Sequence, residues 1–360
     1  MWKNTAVAIF IAGLTLSSCE LFDIKTPGIG IDTLNAIAYG DGVWVIGSIS
    51  GAIAWSSDGV RWTAAGGSPF GADAIHEIIY GNDRFAAVGG GGKTAYSLNG
   101  VDWERGGDST FGNYIKDIAY GGGKFVAVGE YGKVAYSEDG CATWNEAYSA
   151  VFASSCINGI TYGGGKFVAV GEYGKIAWSE NGISWTAAGY SSYSFMINDV
   201  AYSGDKFVAV GNAKTTILTG KIIHSADGIQ WTDAGDTSFI SDPTSQKGSF
   251  ILKAAYGNGI FIAAGCDNVI YDKYEVTGKM SYSADGAHWT AVNDTTFGKN
   301  SVEGIAYGGG KFVAVGVNSA IAYSADGVNW TAVSNPFSAV APSTPQPAAT
   351  NLQRAAGGAR

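Results

Sequence analysis

Short apolar stretches punctuated by glycine dominate the pattern of this chain. Ile115 to Tyr120 and Lys124 to Gly129 are two such stretches, joined by Gly121-Gly122-Gly123; Lys133 to Ser137 follows and runs into Asp139-Gly140. Apolar residues at successive positions, bounded by Gly-Gly and Asp-Gly, predict short strands covered on both faces and joined by hairpin turns, where a positive φ costs Gly and Asp little. The same order of elements recurs, and a Trp closes each recurrence, at positions 62, 103, 144, 185, 231, 289 and 330. Ahead of each Trp stands Ser-x-Asp/Asn-Gly, beginning at Ser56, Ser97, Ser179, Ser225, Ser283 and Ser324, with a copy one residue longer from Ser137 to Trp144. Each unit therefore predicts four short strands. A single four-stranded sheet cannot bury both of its faces, whereas seven set radially cover one another. The expected fold is all-β, a seven-bladed β-propeller of four-stranded antiparallel blades over residues 34–337.

The period is close to that of WD40 repeats, but no unit ends in Trp-Asp and none carries Gly-His. The Ser-x-Asp-Gly-x-x-Trp turns instead resemble the Asp-box, or BNR, repeats of the sialidase-like propeller superfamily. Ser137 to Trp144 fits the fuller spacing best, although Cys141 stands where that pattern has Gly, and the other six copies are one residue short. The resemblance implies architecture rather than activity. It implies that Asp58, Asn99, Asp139, Asn181, Asp227, Asp285 and Asp326 are structural, capping their turns by accepting backbone N–H bonds. It also puts those turns on one rim, the bottom, with the Gly-Gly turns, and leaves the top rim for the strand two to three connections and the crossings between blades.

The N-terminus carries Lys3, an apolar run from Ala6 to Leu16, and then Leu16-Ser17-Ser18-Cys19. That run is too short for a membrane span and suits an export signal; its end resembles the lipobox of bacterial lipoproteins, which implies acylation of Cys19. Residues 1–18 are expected to be a lipoprotein signal peptide, 19–33 the lipidated Cys with a spacer, and 338–360, rich in Ala, Pro, Ser and Thr, a flexible C-terminal tail. The expected location is the bacterial cell envelope, with the protein lipid-anchored and facing periplasm or exterior; Glu20 after the Cys favours the outer membrane.

Charge narrows the partners. With a formal net charge of −9 and only 15% charged residues, nucleic acid is excluded as a partner. Early positions of the innermost strands are polar where burial predicts apolar residues: Asn35, His76, Glu77, Lys116, Asp117, Asn158, Asn198, Asp199, Lys253 and Glu303. They form a candidate ligand-binding ring at the top mouth of the channel. Insertions between strands two and three in blades five (Asn212 to Gly220) and six (Cys266 to Gly278) break the sevenfold regularity, and Tyr271 and Tyr274 make the second a candidate partner-binding loop. The three histidines, His76, His224 and His288, show no metal spacing, and no metal or cofactor is expected. Ala87 to Thr94 satisfies a relaxed P-loop pattern but returns directly into a strand, so no nucleotide is expected. The propeller has only Arg61, Arg84 and Arg105, and the first two fall on the bottom rim, too few at the top to clamp a substrate carboxylate, which argues against a sialidase. The leading expectation is a monomeric, anchored propeller that binds a protein or glycan on its top rim without catalysis. The alternatives are a glycoside hydrolase or lyase using carboxylates at the channel mouth, and an assembly or scaffolding factor of the kind that serves photosystem II.

Overall fold

The computed structural model describes residues 32–334, apart from 191–194, 215–217, 236–238, 240–247 and 271–274. Within them the chain forms seven four-stranded antiparallel sheets, each built from four consecutive strands. Blade 3 is representative: strand one (Ile115–Gly121), strand two (Lys124–Gly129), strand three (Lys133–Ser137) and strand four (Asn145–Tyr148) lie in that order from the axis outward. Strand one of every blade packs beside strand one of the next, and the ring closes where blade 1 meets blade 7. The propeller is a seven-bladed all-β ring. Among the described residues no helix is long and apolar enough to cross a membrane.

The core is not central but divided among the seven interfaces. Strand two is buried along almost its whole length, as in Phe125, Val126, Ala127 and Val128. One face of it packs on the preceding blade and the other on the following one, which is why Lys-Phe-Val-Ala-Val-Gly shows no alternation. At the interface of blades 3 and 4, for example, Val126 and Val128 meet Ile157, Ile160 and Phe167.

Two repeated devices hold the rings of the bottom rim together. In the turn before strand four, Asp58 Oδ1 accepts the N–H groups of Val60 and Arg61 at 2.8 and 2.7 Å, and Ser56 Oγ accepts that of Gly59 at 2.8 Å. The turns at Asn99, Asn181, Asp227, Asp285 and Asp326 repeat this pattern. In the longer third copy Asp139 accepts instead from the Thr143 N–H at 2.9 Å and the Thr143 hydroxyl at 2.6 Å. Cations at the start of strand two then reach the turn of the following blade. Lys166 donates to the Asp227 carbonyl at 2.9 Å, Lys311 to that of Asp58 at 2.9 Å, and Arg84 to that of Gly140 at 3.0 Å.

Among the described residues no strand is exchanged across the seam. Blades 1 and 7 meet through Leu34, Ile37, Trp44 and Ile46 against Val313, Val315 and Ile321. The Asp32 carbonyl accepts both the backbone N–H and the hydroxyl of Ser319, at 2.6 and 2.9 Å.

Blades 5 and 6 depart from the expected loops. Their insertions continue the ladder: Asn212, Ala213 and Lys214 pair with Gly220, Thr219 and Leu218, and Cys266 and Asp267 pair with Gly278 and Thr277. Added residues that can pair backbone groups lengthen a hairpin more readily than they leave an unsatisfied loop. Elsewhere a short turn such as Glu130–Gly132 reverses the chain at once. The hairpin of blade 6 is braced at its base by the Lys279–Asp267 ion pair, 2.6 Å, and by the Ser249 hydroxyl donating to Asp267 at 2.6 Å. Tyr271 and Tyr274 lie outside the described residues, as does Cys19.

Candidate functional site at the channel mouth

Polar residues in the innermost strands have a backbone cause. In every blade strand one carries a β-bulge near its top, and the unpaired residue is Asn35, His76, Lys116, Asn158, Asn198, Leu252 or Glu303 in turn. A bulge leaves backbone amides without ladder partners and turns side chains toward the axis. The residue after it decides how the amides are satisfied.

Asp117 occupies that position in blade 3. Its two oxygens accept the N–H of Ile118 and, across the interface, that of Ile160 in blade 4, both at 2.7 Å. Blade 4 has Gly159 in the equivalent place and supplies no carboxylate of its own. A Cβ there would stand 2.9 Å from Asp199 Cα, so the close approach of blade 5 requires the glycine. Asp199 repeats the clip, accepting from Val200 at 2.8 Å and from Ala254 of blade 6 at 2.9 Å. Asn158 and Asn198 donate outward to the Ile197 and Ile251 carbonyls, at 2.9 and 2.6 Å. These four residues bind blades 3, 4, 5 and 6 together around the axis.

Lys253, which follows the bulge of blade 6, reaches across the channel and pairs with Glu77 of blade 2, whose other oxygen accepts the Ile78 N–H at 3.1 Å. The ion pair bridges the axis and has Asp117 and Asp199 as charged neighbours. Burial pushes the Asp199 carboxyl up to about 6, with Lys253 opposing the rise; burial and then the Glu77 charge raise Asp117 well above the usual range. Burial also raises Glu303. For Lys253 burial acts downward, but Glu77, Asp199 and Asp117 outweigh it and hold the ammonium charged. His76 stands apart from the pair, its ring centroid 5.5 Å from that of Tyr114, over which Lys116 lies at 5.3 Å. Burial and the Lys116 and Lys253 charges hold its imidazole down to about 3, so it is neutral at pH 7, and its Nε2 is shielded without a hydrogen-bond partner.

The ring therefore comes together, but as clips and a bridge. Acid/base hydrolysis needs one carboxyl free to donate and another free to accept, and both oxygens of Asp117 and of Asp199 are already engaged. The arginines are engaged too: Arg61 with Asp58 at 2.9 Å, Arg105 with Asp108 at 2.6 Å, Arg84 with Gly140. Cys141 and Cys266 are buried free thiols, both pushed up to about 12 by burial. Cys156 is disulfide-bonded.

Two groups escaped the sequence reading. Tyr131 and Tyr173 sit at the tips of the top-rim turns of blades 3 and 4, 59% and 49% exposed, with φ of +57° and +59°. Gly91 and Asn318, residues suited to that conformation, hold the equivalent place in blades 2 and 7. Tyr148, 75% exposed, pairs with Lys133 and so lies on the same side of blade 3. The second group is a tyrosine at the end of strand one in all seven blades, each packed against an aromatic of its own strand two, as Tyr120 on Phe125 at 4.7 Å.

The carboxyls give stability two opposed pH windows. Asp199 is raised in the fold relative to an unfolded value near 4, so its contribution is full below about pH 4 and is lost as pH rises through about 6. Asp58, Asp285 and Asp326 are lowered, the first and last mainly by backbone N–H bonds and Asp285 first by the His288 side chain. Their contribution is present above the ordinary carboxylate range and is lost as pH falls below it. Thermal melting should therefore be highest near pH 5, lower at pH 7.5 and lower again at pH 3, and Asp199→Asn should flatten the limb between 5 and 7.5. A melting temperature rising steadily from pH 5 to 7.5 contradicts this assignment.

No protein-family pattern matches the chain, and no curated protein does. Solved propellers do match it in shape. YCF48 from Cyanidioschyzon merolae superposes with a TM-score of 0.57 at 15% identity, covering 82% of this chain and 96% of that one. A structure titled YCF48 bound to D1 peptide gives 0.59 at 15% identity, covering 85% and 94%. Both are YCF48 propellers rather than sialidase-like ones, and at this identity they speak to the fold alone.

Proposed function

We propose that this chain is a non-catalytic protein-binding propeller of the cell envelope that presents its top rim to a polypeptide partner. The observation that carries the reading is the pair Tyr131 and Tyr173. A bulky residue in the left-handed region costs on the order of 1 kcal/mol, and two adjacent blades bear that cost to hold exposed rings upright where glycine would serve the backbone better. Tyrosines of this kind are common anchors of protein interfaces. A YCF48 propeller has been solved with a D1 peptide, which supports a peptide-binding use of such a ring and favours a scaffolding or assembly role. The engaged carboxylates weigh against the hydrolase or lyase alternative. The sequence insertion of blade 6 adds Tyr271 and Tyr274 as further candidates for that partner.

The test is capture of the native partner from envelope extracts by the full chain. Tyr131→Gly with Tyr173→Gly should leave the melting temperature equal or higher, because the strain is relieved, while capture falls at least tenfold. Unchanged capture refutes the blade 3 and 4 site, and capture by immobilised glycans instead would make the partner a carbohydrate. Labelled palmitate entering the wild type and not Cys19→Ala would establish an acyl anchor at that residue. A thioether sulfur cannot join a disulfide, so a Cys19–Cys156 bond found in the mature protein would exclude the acyl anchor while leaving an oxidising compartment in place.

A further inference from the structure

We propose that the segment taken by Tyr131 and Tyr173 is an uncharged, proline-rich stretch of the partner in the polyproline II conformation, laid across blades 3 and 4 with residues i and i+3 on the two rings. This rests on the partner-binding reading above and narrows it to one class of ligand. The two tyrosines occupy equivalent turns of adjacent blades, which pack face to face through Val126 and Val128 against Phe167. Packed sheets lie about 10 Å apart. The space between the rings has a floor of small residues. A Cβ on Gly132 would stand 2.2 Å from the Ala153 carbonyl oxygen, and the Glu172 N–H donates to the Cys156 carbonyl at 3.1 Å, so the crossing between the blades runs from one turn to the other and exposes Ala153 and Ser154 between them.

Spacing and chemistry then select the ligand. In polyproline II, residues i and i+3 share one face and lie roughly 9 Å apart, close to the separation of the sheets. A β-strand sets residues three apart on opposite faces. An α-helix has its carbonyls bonded internally and is about 10 Å wide, too broad for two rings with a small floor. Neither tyrosine hydroxyl is engaged by another described residue, so both can donate. A polyproline II backbone leaves its carbonyls free to accept, and at proline it has no N–H that needs a partner. The charges beside the rings are turned to other work: Lys133 donates to the Thr110 and Phe111 carbonyls, Lys175 to the Phe152 carbonyl and the Ser155 hydroxyl, and Glu172 accepts the Cys156 N–H. A platform of this kind complements an uncharged segment, and aromatic faces suit proline rings, which bind with little loss of conformational freedom.

Calorimetric titration of the full chain should show end-blocked decaproline binding at least tenfold more tightly than an end-blocked Gly-Ser peptide of equal length. Tyr131→Gly with Tyr173→Gly should abolish decaproline binding. Tyr131→Phe with Tyr173→Phe, which keeps both rings and removes only the donors, should leave the melting temperature unchanged and weaken decaproline at least threefold. Partner capture on the same variants separates this claim from the one it rests on: capture that depends on the tyrosines, beside a wild type that does not bind decaproline, overturns the polyproline assignment and leaves the partner site standing. Equal affinity for the two peptides, or decaproline binding unchanged in the glycine variant, overturns it too. The chain has a proline-rich stretch of its own, Pro342 to Pro347. Pro342→Ala with Pro345→Ala and Pro347→Ala should leave decaproline affinity unchanged, and a tenfold gain would assign the rings to that stretch instead of a partner.

Discussion

Gly121→Val is expected to destabilise the propeller by about 3 kcal/mol, at the upper end of what overpacking usually costs, which is roughly 5–10 °C of melting temperature. Gly121 ends strand one of blade 3, and the Tyr162 ring of blade 4 lies flat over it: a Cβ would stand 2.0 Å from Tyr162 Cγ. The ring cannot retreat, because Phe167 backs it at a centroid distance of 4.8 Å. Gly40 under Tyr80, Gly81 under Tyr120, Gly163 under Tyr202, Gly257 under Tyr307 and Gly308 under Tyr39 repeat the contact. Blade 5 alone has Ser203 at this position. In a Tyr162→Ala background the same Gly121→Val change should cost less than about 1 kcal/mol, because the space is then vacant; contacting residues couple in this way. Urea unfolding of the four proteins measures the coupling, and additive effects would show that the two residues do not meet.

Lys253→Met should cost still more, about 3–5 kcal/mol at pH 7.5, since removing one partner of a buried pair strands the other charge. The Glu77 and Lys253 side chains are 15% and 21% exposed, and Asp117 and Asp199 would lose the same neutralising neighbour. The loss should shrink at pH 5, where Asp117 and Asp199 can take up protons instead. Adding Glu77→Gln should restore much of the stability at pH 7.5. A loss independent of pH, or deepened by Glu77→Gln, would mean that Lys253 acts through packing rather than charge.

The ring of blades was legible because its signals are local. Trp62 through Trp330 mark the period, and Ser56 with Asp58 satisfies amides two and three residues ahead, so spacing alone reveals the turn. The polar mouth was legible as composition, yet its geometry was not. That Asp117 serves Ile160, or that Lys253 meets Glu77, depends on which blades adjoin and on a bulge that shifts the register by one residue, and neither leaves a mark in a single strand. Tyr131 looked like an ordinary turn residue, since φ is not written in the letters; its only trace was Gly91 and Asn318 at the matching positions. The insertions of blades 5 and 6 were visible by length, but their pairing was not, because no Asn-Gly or Asp-Gly pair marks a hairpin turn between Asn212 and Gly220 or between Cys266 and Gly278. The Asp-box resemblance captured the capped turn and the propeller built from it, for a capped turn before a strand is a solution that propellers can share without sharing chemistry.

A ring without strand exchange also fixes an order of events. Each blade is a contiguous stretch whose sheet needs no residue from elsewhere, so on a chain synthesised from its N-terminus the first six interfaces form between neighbours as they emerge. The seventh joins Asp32 to Ser319, 287 positions later, and has to wait for the last blade. The entropy of closing so long a loop is modest, because each doubling of length adds only about 0.6 kcal/mol; the delay is one of timing. Throughout it the seam face of blade 1, with Leu34, Ile37, Trp44 and Ile46, stays open as an apolar surface that the seventh blade of another chain fits as well as its own. Crowding of nascent chains, rather than any weakness of the finished ring, is thus where this architecture is most exposed to intermolecular misassembly.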